Sequence, residues 1–395
     1  MMNWTILKRF VCMEQDLCKI GIIGAGPSGC ACAYFLGARE NISLIDFREP
    51  MCTILPTGGG RCNLAYSEYD FKELAKNYPR GEKFLYSIFS KFSTVDTLEM
   101  FNKIGIDTYV QDDNRIFPVT NNSKDIQTAM LNSIKRCNFI KEKALRIEKI
   151  ENRFKVVTDM NSYMFDKLVY AVGGHAGYEM IKRIGISVIE PKPSLVGLIS
   201  KEKLSDLMGI SISDVYNHNT GLCGDILFTH FGMSGPLVYK ISSIKARDSF
   251  PYDLEFDLCP KLDGFQDILN LNPHKYIKNI LSEYIPSRLS EYILDKLNVN
   301  PDTKCHMING RIRDSILEEI HKFKVEIISS KKDGETVTAG GVDLDKINPK
   351  TMESKEVDGL YFCGEVINVD GFCGGFNLQN CWSTAYVSAQ GVLSN

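Results

Sequence analysis

Six residues near the N-terminus, Gly24-Ala25-Gly26-Pro27-Ser28-Gly29, have the spacing of a loop that receives a pyrophosphate. That chemistry needs a tight turn at Gly24, close phosphate approach at Gly26 and close helix–sheet packing at Gly29. Pro27 and Ser28 then open a helix whose unpaired N–H groups and partial positive charge favour an anion. Asp46 lies 22 residues beyond Gly24, at the end of the next apolar run, where a carboxylate binds a ribose diol. Arg48 nearby would suit a 2′-phosphate, but Asp46 holds the discriminating position, so Arg48 reads as solvated or close to the adenine.

Three further glycine-rich segments add to this one. Thr57-Gly58-Gly59-Gly60-Arg61-Cys62-Asn63 cannot build a core, because three consecutive glycines lose too much backbone freedom on ordering. Such a run suits main chain passing close to a flat ligand or a phosphate, with Gly60 at the approach and Arg61 and Asn63 supplying a cation and an amide. Cys62 reads as a structural thiol. Near the C-terminus, Gly364-Glu365-Val366 and Asp370-Gly371-Phe372-Cys373-Gly374-Gly375-Phe376-Asn377-Leu378-Gln379 follow an apolar strand and precede a helix. A second helix entry there would stabilise charge on the N1–C2=O edge of a reduced flavin, with Glu365 or Asp370 on the ribityl hydroxyls. Leu168 to Gly174 is a buried strand ending in Gly173-Gly174, where the chain can cross near an adenosine.

The elements that must position these loops follow from the hydrophobic pattern. Lys19–Ile23, the small-residue helix after Gly29 and the strand before Asp46 form a βαβ unit with a parallel sheet. Residues 70–136 read as mostly helical, and 144–172 as an antiparallel meander returning to a buried strand. Beyond Pro191 and Pro193 the runs are short and Gly-punctuated; residues 262–325 are helical; near 336 the α/β pattern resumes, with a terminal helix from about Gln379. The expected organisation is a non-core arm at 1–18 and a Rossmann-like α/β domain, 19–190 plus 337–395, that binds FAD. Interrupting it are a β-rich subdomain at 191–261 and a helical subdomain at 262–336.

Composition narrows the function class. The chain of 395 residues carries 46 Lys+Arg against 49 Asp+Glu, a net charge of −3, so it is no polycation; with 44% hydrophobic residues it buries a large core. No apolar run approaches the roughly 18 residues of a membrane span. The 13 cysteines contain no CxxC pair, which argues against a zinc ribbon or a dithiol reductase, and no metal site is expected. The cysteine pattern and the absence of a cleavable leader point to the cytoplasm.

Several motifs together resemble the two-dinucleotide-binding-domain flavoproteins, and within them the BaiN-type, aminoacetone-oxidase-like NAD(P)/FAD-dependent oxidoreductases. They are TGGGRCN (57–63), RIFPV (115–119), THFGMSGP (229–236), TAGGVDL (338–344), TMESK (351–355) and GLYFCGEVINVDGFCGGFNLQNCWSTA (359–385). The resemblance spans nearly the whole chain after Lys19. It implies an FAD enzyme, with NAD(P)H as transient electron donor, that reduces an activated C=C bond of a small organic substrate. An alternative implied by relatives of the family is reduction of uridine to dihydrouridine in ribosomal RNA, with Lys275, Lys278, Arg311, Arg313, Lys322 and Lys324 tracking phosphates. A noncatalytic flavin-binding redox module is the third reading. Two segments depart from the family pattern: FREPMCTILP precedes TGGG, and His175-Ala176-Gly177-Tyr178 replaces a longer loop. His230 is the candidate acid/base, since imidazole titrates near neutrality. Arg115, beside Phe117 and Pro118, is the candidate on the substrate face, and His175 a further contact.

Overall fold

The computed structural model describes residues 18–174, 177–331 and 337–394; all but the last residue of the expected arm at 1–18, and His175, lie outside them. The chain forms two compact units, Met1–Pro191 with Gly340–Asn395, and Lys192–Ala339. The division falls inside the strands Val188–Ser194 and Val337–Val342.

The first unit is built on a five-stranded sheet, ordered Leu360–Phe362, Lys167–Tyr170, Ile20–Ile23, Ile42–Ile45, Asn138–Ile140. All its pairings are parallel. Its central strand, IGII, is buried along its whole length, as a parallel strand covered on both faces must be. Alternate residues face opposite layers. Ile22, Leu44, Val169 and Tyr361 pack with the helices Pro27–Phe35 and Phe376–Ser394, whereas Ile23, Ile45, Tyr170 and Phe362 pack with the antiparallel meander 144–165. The helix Pro27–Phe35 starts at proline, whose missing N–H falls where helices leave donors unpaired. Its small residues Ser28 to Ala33 are all buried, which lets it lie close to the sheet. A second, three-stranded sheet pairs Ala65–Tyr66 and Thr108–Val110 with Arg115–Pro118. These short strands interrupt a stretch whose 3.6-residue periodicity predicts helix; RIFP is buried from Ile116 to Pro118, too short a run for periodicity to classify.

The second unit contains a closed six-stranded barrel, ordered Leu198–Ser200, Gly232–Ser234, Leu222–Thr229, Ser211–Asn217, Tyr252–Asp257, Phe323–Ser330. The helices Phe265–Leu271, Ile277–Leu281, Ser287–Lys296 and Gly310–His321 are inserted between the last two barrel strands and share one hydrophobic core with them. The helical pattern expected to run to 325 stops at His321. From Phe323 the residues Phe323, Val325 and Ile327 alternate inward as a barrel strand. The α/β class, the Rossmann-like sheet and the additional β-rich and helical elements are all present. No helix among the described residues is long and apolar enough to cross a membrane.

Candidate active site

The parallel sheet brings the glycine loops to one edge. Ile23 stands opposite Ile45 and Tyr170, and Tyr170 opposite Phe362, so four neighbouring strands end level. The segments that follow them, Gly24–Gly29, Asp46, Ala171–Gly174 and Cys363–Val366, emerge together from the C-terminal edge, where open parallel sheets bind ligands.

Sterics explain the glycines one by one. A Cβ on Gly24, whose φ is +103°, would lie 2.3 Å from the Ala171 carbonyl oxygen, and one on Gly29 would lie 1.9 Å from the Gly24 oxygen. Both are required by the protein's own packing. Gly26 is different: its φ is −75°, and the nearest atom to an added Cβ is Thr53 Oγ1 at 3.9 Å. Nothing among the described residues demands glycine there, so the space is one a bound group would fill. Gly60 and Gly173 likewise face no atom closer than 3.9 Å, although their φ values of +85° and +83° favour glycine anyway. Asp46 is nearly buried at the strand end, its Oδ2 accepting from the Ala25 N–H at 2.9 Å and its Oδ1 from the Arg48 N–H at 3.0 Å. These bonds aim the carboxylate and leave lone pairs for a diol. Arg48 approaches Asp46 at 3.5 Å and remains largely exposed.

The triple-glycine loop is pinned from several sides. Arg61 donates to the Gly58 carbonyl at 3.3 Å and to Gln111 Oε1 at 3.1 Å, while its guanidinium lies 4.1 Å over the Phe117 ring. Cys62 is buried, and that burial pushes its thiol up to about 12 against a smaller opposing hydrogen bond with Thr57. It is an inert thiol. Asn63 carries a buried Oδ1 with no hydrogen-bond partner among the described residues. An orphaned amide oxygen beside glycines is the kind of group a bound ligand satisfies.

The C-terminal loop meets the other two. A Cβ on Gly364 would collide with Ser28 Oγ at 2.3 Å, and one on Gly375 with Ala65 at 2.5 Å. Trp382 Nε1 donates to the Leu64 carbonyl at 3.0 Å. The loop's own polar groups are largely committed inward. Asn377 exchanges two 2.9 Å hydrogen bonds with the backbone of Gly371, and Tyr78 donates to the Phe376 carbonyl at 2.6 Å. Asp370 is fully buried, with both carboxylate oxygens on the guanidinium of Arg80. The carboxylate of Asp370, expected on the ribityl hydroxyls, braces the loop against Arg80. Glu365 is half-buried at the head of the loop and pushes up the thiol of half-buried Cys381, after the larger effect of desolvation. Leu378, half-buried, packs against the hydrophobic core on the helix side of the sheet. The brace residues Arg80, Tyr78 and Trp382 carry no local sequence signal, because their partners lie about 300 residues away.

The two catalytic candidates stand as follows. Arg115, at the start of its strand, pairs with Asp113 at 2.6 Å and lies 5.5 Å from the Phe117 ring centre, the ring that also carries Arg61. His230 belongs to the second unit, exposed on the turn joining two barrel strands and edge-on to Phe231. It has no hydrogen bond to another described residue. Among the described residues no group of acids, histidines and cysteines could hold a metal.

A parallel sheet whose loops leave a glycine-lined space at its C-terminal edge defines a dinucleotide-binding protein, and the cradle, the aimed Asp46 and the orphaned Asn63 fit FAD. Comparison with known proteins makes the class specific. The HI0933-like protein Rossmann domain family matches residues 18–391, and the chain belongs to that family, a family of flavoproteins. It is similar to the ribosomal RNA dihydrouridine synthase of Escherichia coli (strain K12), 29% identical over 398 residues covering 94% of this chain and 97% of the relative. It is also similar to the 3-dehydro-bile acid delta(4,6)-reductase of Clostridium scindens, 24% identical over 94% of this chain and 98% of that protein. Among solved structures, a flavocytochrome c3 fumarate reductase superposes with a TM-score of 0.50 at 13% identity, over 95% of this chain and 78% of that one. That likeness concerns the fold. The protein is therefore a flavin-dependent oxidoreductase.

Proposed function

We propose that the enzyme uses FAD to reduce a C=C bond conjugated to a carbonyl, with NAD(P)H as electron source and a uridine of ribosomal RNA as the substrate. The observation that carries this reading is the glycine-lined space at the sheet edge, bounded by loops that the chain's own packing holds in place. Bound FAD would supply hydride transfer at one end of its isoalloxazine ring. The chain's part is to bind, orient and supply a proton. Asp46 is aimed at a ribose, Gly26 leaves room for the pyrophosphate, and the partial positive charge at the start of the helix Phe376–Ser394 would favour negative charge on a reduced flavin. Reducing a C=C bond adds hydride at one carbon and a proton at the other, and Arg115 orients the substrate in this reading.

The names of the two relatives share that chemistry, since a dihydrouridine synthase and a delta(4,6)-reductase both saturate a double bond. The higher identity to the RNA enzyme favours uridine. One observation keeps the small-molecule reading alive: four of the cations expected to track phosphates are paired with acids, Lys275 with Glu283 at 3.1 Å, Lys278 with Asp302 at 2.7 Å, Arg313 with Asp314 at 2.6 Å and Lys324 with Glu255 at 3.6 Å. The test incubates FAD-loaded protein anaerobically with NADH or NADPH and either ribosomal RNA transcripts or a panel of enones. Salt-sensitive gain of two hydrogens on a uridine supports the proposal. Turnover of enones alone transfers it to a small substrate, and turnover of neither refutes both.

A further inference from the structure

We infer that Arg61 is a catalytic residue whose guanidinium binds the substrate carbonyl oxygen as that oxygen takes on negative charge, with Gln111 as the positioning residue that aims it; the inference rests on the C=C reduction proposed above. The wall around Arg61 belongs to the three-stranded sheet. Tyr66 stands opposite Arg115 and Tyr109 opposite Phe117, so these four side chains share one face. Phe117 is buried beneath the Arg61 guanidinium, which lies 4.1 Å over its ring, and Arg115 reaches the same ring from 5.5 Å. Both guanidiniums thus border one small area. The run of the chain sets this wall toward the flavin end. Thr53 faces the space at Gly26, Gly375 closes against Ala65, and the Tyr66 ring lies 4.7 Å from Phe376 at the start of the C-terminal helix. Residues 53–66 therefore pass from the pyrophosphate space to the loop expected at the flavin ring, with Arg61 near the latter end.

Uncompensated charge sets Arg61 apart. The other arginines bordering these loops are neutralised, Arg48 by Asp46, Arg80 by Asp370 and Arg115 by Asp113. Arg61 is half-buried and has no carboxylate partner among the described residues. Its bonds to the Gly58 carbonyl and to Gln111 Oε1, at 3.3 and 3.1 Å, use Nε and Nη1 and leave the Nη2 donors for a ligand. Gln111 is itself fixed by the hairpin, its N–H donating to the Arg115 carbonyl and its carbonyl accepting from the Asn114 N–H, each at 2.8 Å. Holding an unpaired cation partly out of water is unfavourable, and an anionic oxygen offsets that cost. Reduction of a C=C bond conjugated to a carbonyl creates such an oxygen. Hydride adds at the β-carbon, the C=C electron pair moves so that the charge rests on the carbonyl oxygen, and a proton from solvent enters at the α-carbon and restores C=O. The two electrons come from NAD(P)H in the reading above. A cation already aimed at that oxygen stabilises the enolate more than the neutral substrate. The start of the helix Phe376–Ser394 offers its positive charge to the flavin, which leaves Arg61 for the substrate. A residue that only braced the loop would need neither net charge nor spare donors.

The test uses the full-length, FAD-loaded protein with Arg61→Met, which keeps an apolar stem on Phe117, and with Arg61→Lys and Gln111→Leu. The probe is para-chlorophenol, whose phenolate presents an enolate-like oxygen on a planar ring, titrated by difference absorbance across pH. Wild type is expected to prefer the phenolate, so that the bound phenol ionises at lower pH than the free one. Arg61→Met is expected to weaken phenolate binding about ten-fold or more and to leave binding of the neutral phenol unchanged. Gln111→Leu weakens it by a smaller factor, and Arg61→Lys recovers part of the loss. In turnover of uridine or enone, Arg61→Met is expected to lower kcat about 100-fold with KM little changed, while the flavin midpoint potential stays at the wild-type value. Phenolate affinity in Arg61→Met equal to wild type overturns the inference. A lowered flavin potential with phenolate binding unchanged assigns the cation to the flavin and overturns it as well. Should Arg61→Met lose FAD, the same titration on Gln111→Leu decides, and unchanged phenolate affinity there overturns the inference. Conversion by wild type with unchanged kcat in Arg61→Met overturns the role of Arg61 alone, whereas absence of both uridine and enone conversion by wild type refutes the reduction and the role together.

Discussion

The first glycine turn and the C-terminal glycine loop reach the same space by different physics. Gly24–Gly29 is shaped chiefly by its backbone, with Gly24 and Gly29 closed against carbonyl oxygens, Gly26 facing open space and one side-chain hydrogen bond, from the Ala25 N–H to Asp46. The loop from Asp370 to Asn377 is held by polar side chains: a buried ion pair, a reciprocal amide pair on Gly371 and the phenol of Tyr78. A turn defined by sterics is rigid wherever the fold is intact. A loop defined by buried polar bonds depends on every partner, since an unpaired buried group is costly.

Substitutions can break this contrast. The largest expected effect is Arg80→Ala, which strands the buried Asp370 carboxylate and should lower unfolding stability by about 3–5 kcal/mol, measured by urea denaturation. Gly29→Ala should follow, at about 1–3 kcal/mol, because its Cβ meets a backbone oxygen that cannot move away cheaply. Asn377→Ala removes both bonds to Gly371 and should cost about 1–3 kcal/mol, with FAD affinity falling alongside stability. The smallest effect concerns Cys62. Burial raises its thiol from the ordinary 9.0 to about 12, so at pH 8 it stays protonated. Iodoacetamide on the native protein should then label exposed Cys223 and Cys373 and spare Cys62, which reacts only in denaturant. Native labelling of Cys62 would show that the triple-glycine loop opens.

The same contrast explains how much was legible in the sequence. The first turn, the βαβ unit and the acid at Asp46 are local: their spacing lies within thirty residues and each residue type has a steric or hydrogen-bonding reason. The C-terminal loop was legible as glycine-rich main chain entering a helix, but not in its bracing. Asp370 reads as a free carboxylate until Arg80, 290 residues earlier, comes to lie against it. The strands at 108–118 were hidden inside helical periodicity because three or four residues are too few to define a period. Phe323–Ser330 was hidden differently, since its inward alternation begins directly after an amphipathic helix and continues that helix's apolar face.

The central claim is that the sheet-edge space belongs to FAD, and Gly26 tests it most directly. Titrating apoprotein with FAD, for wild type and Gly26→Ala, separates ligand space from packing. Alanine at this helix N-cap should change apoprotein stability by no more than about 1 kcal/mol. The account predicts one FAD per wild-type chain and binding weaker by about ten-fold or more in the variant, because the methyl group occupies the place of the pyrophosphate. Wild-type protein that stays colourless with added FAD, or a variant that binds FAD as tightly as wild type, would contradict it.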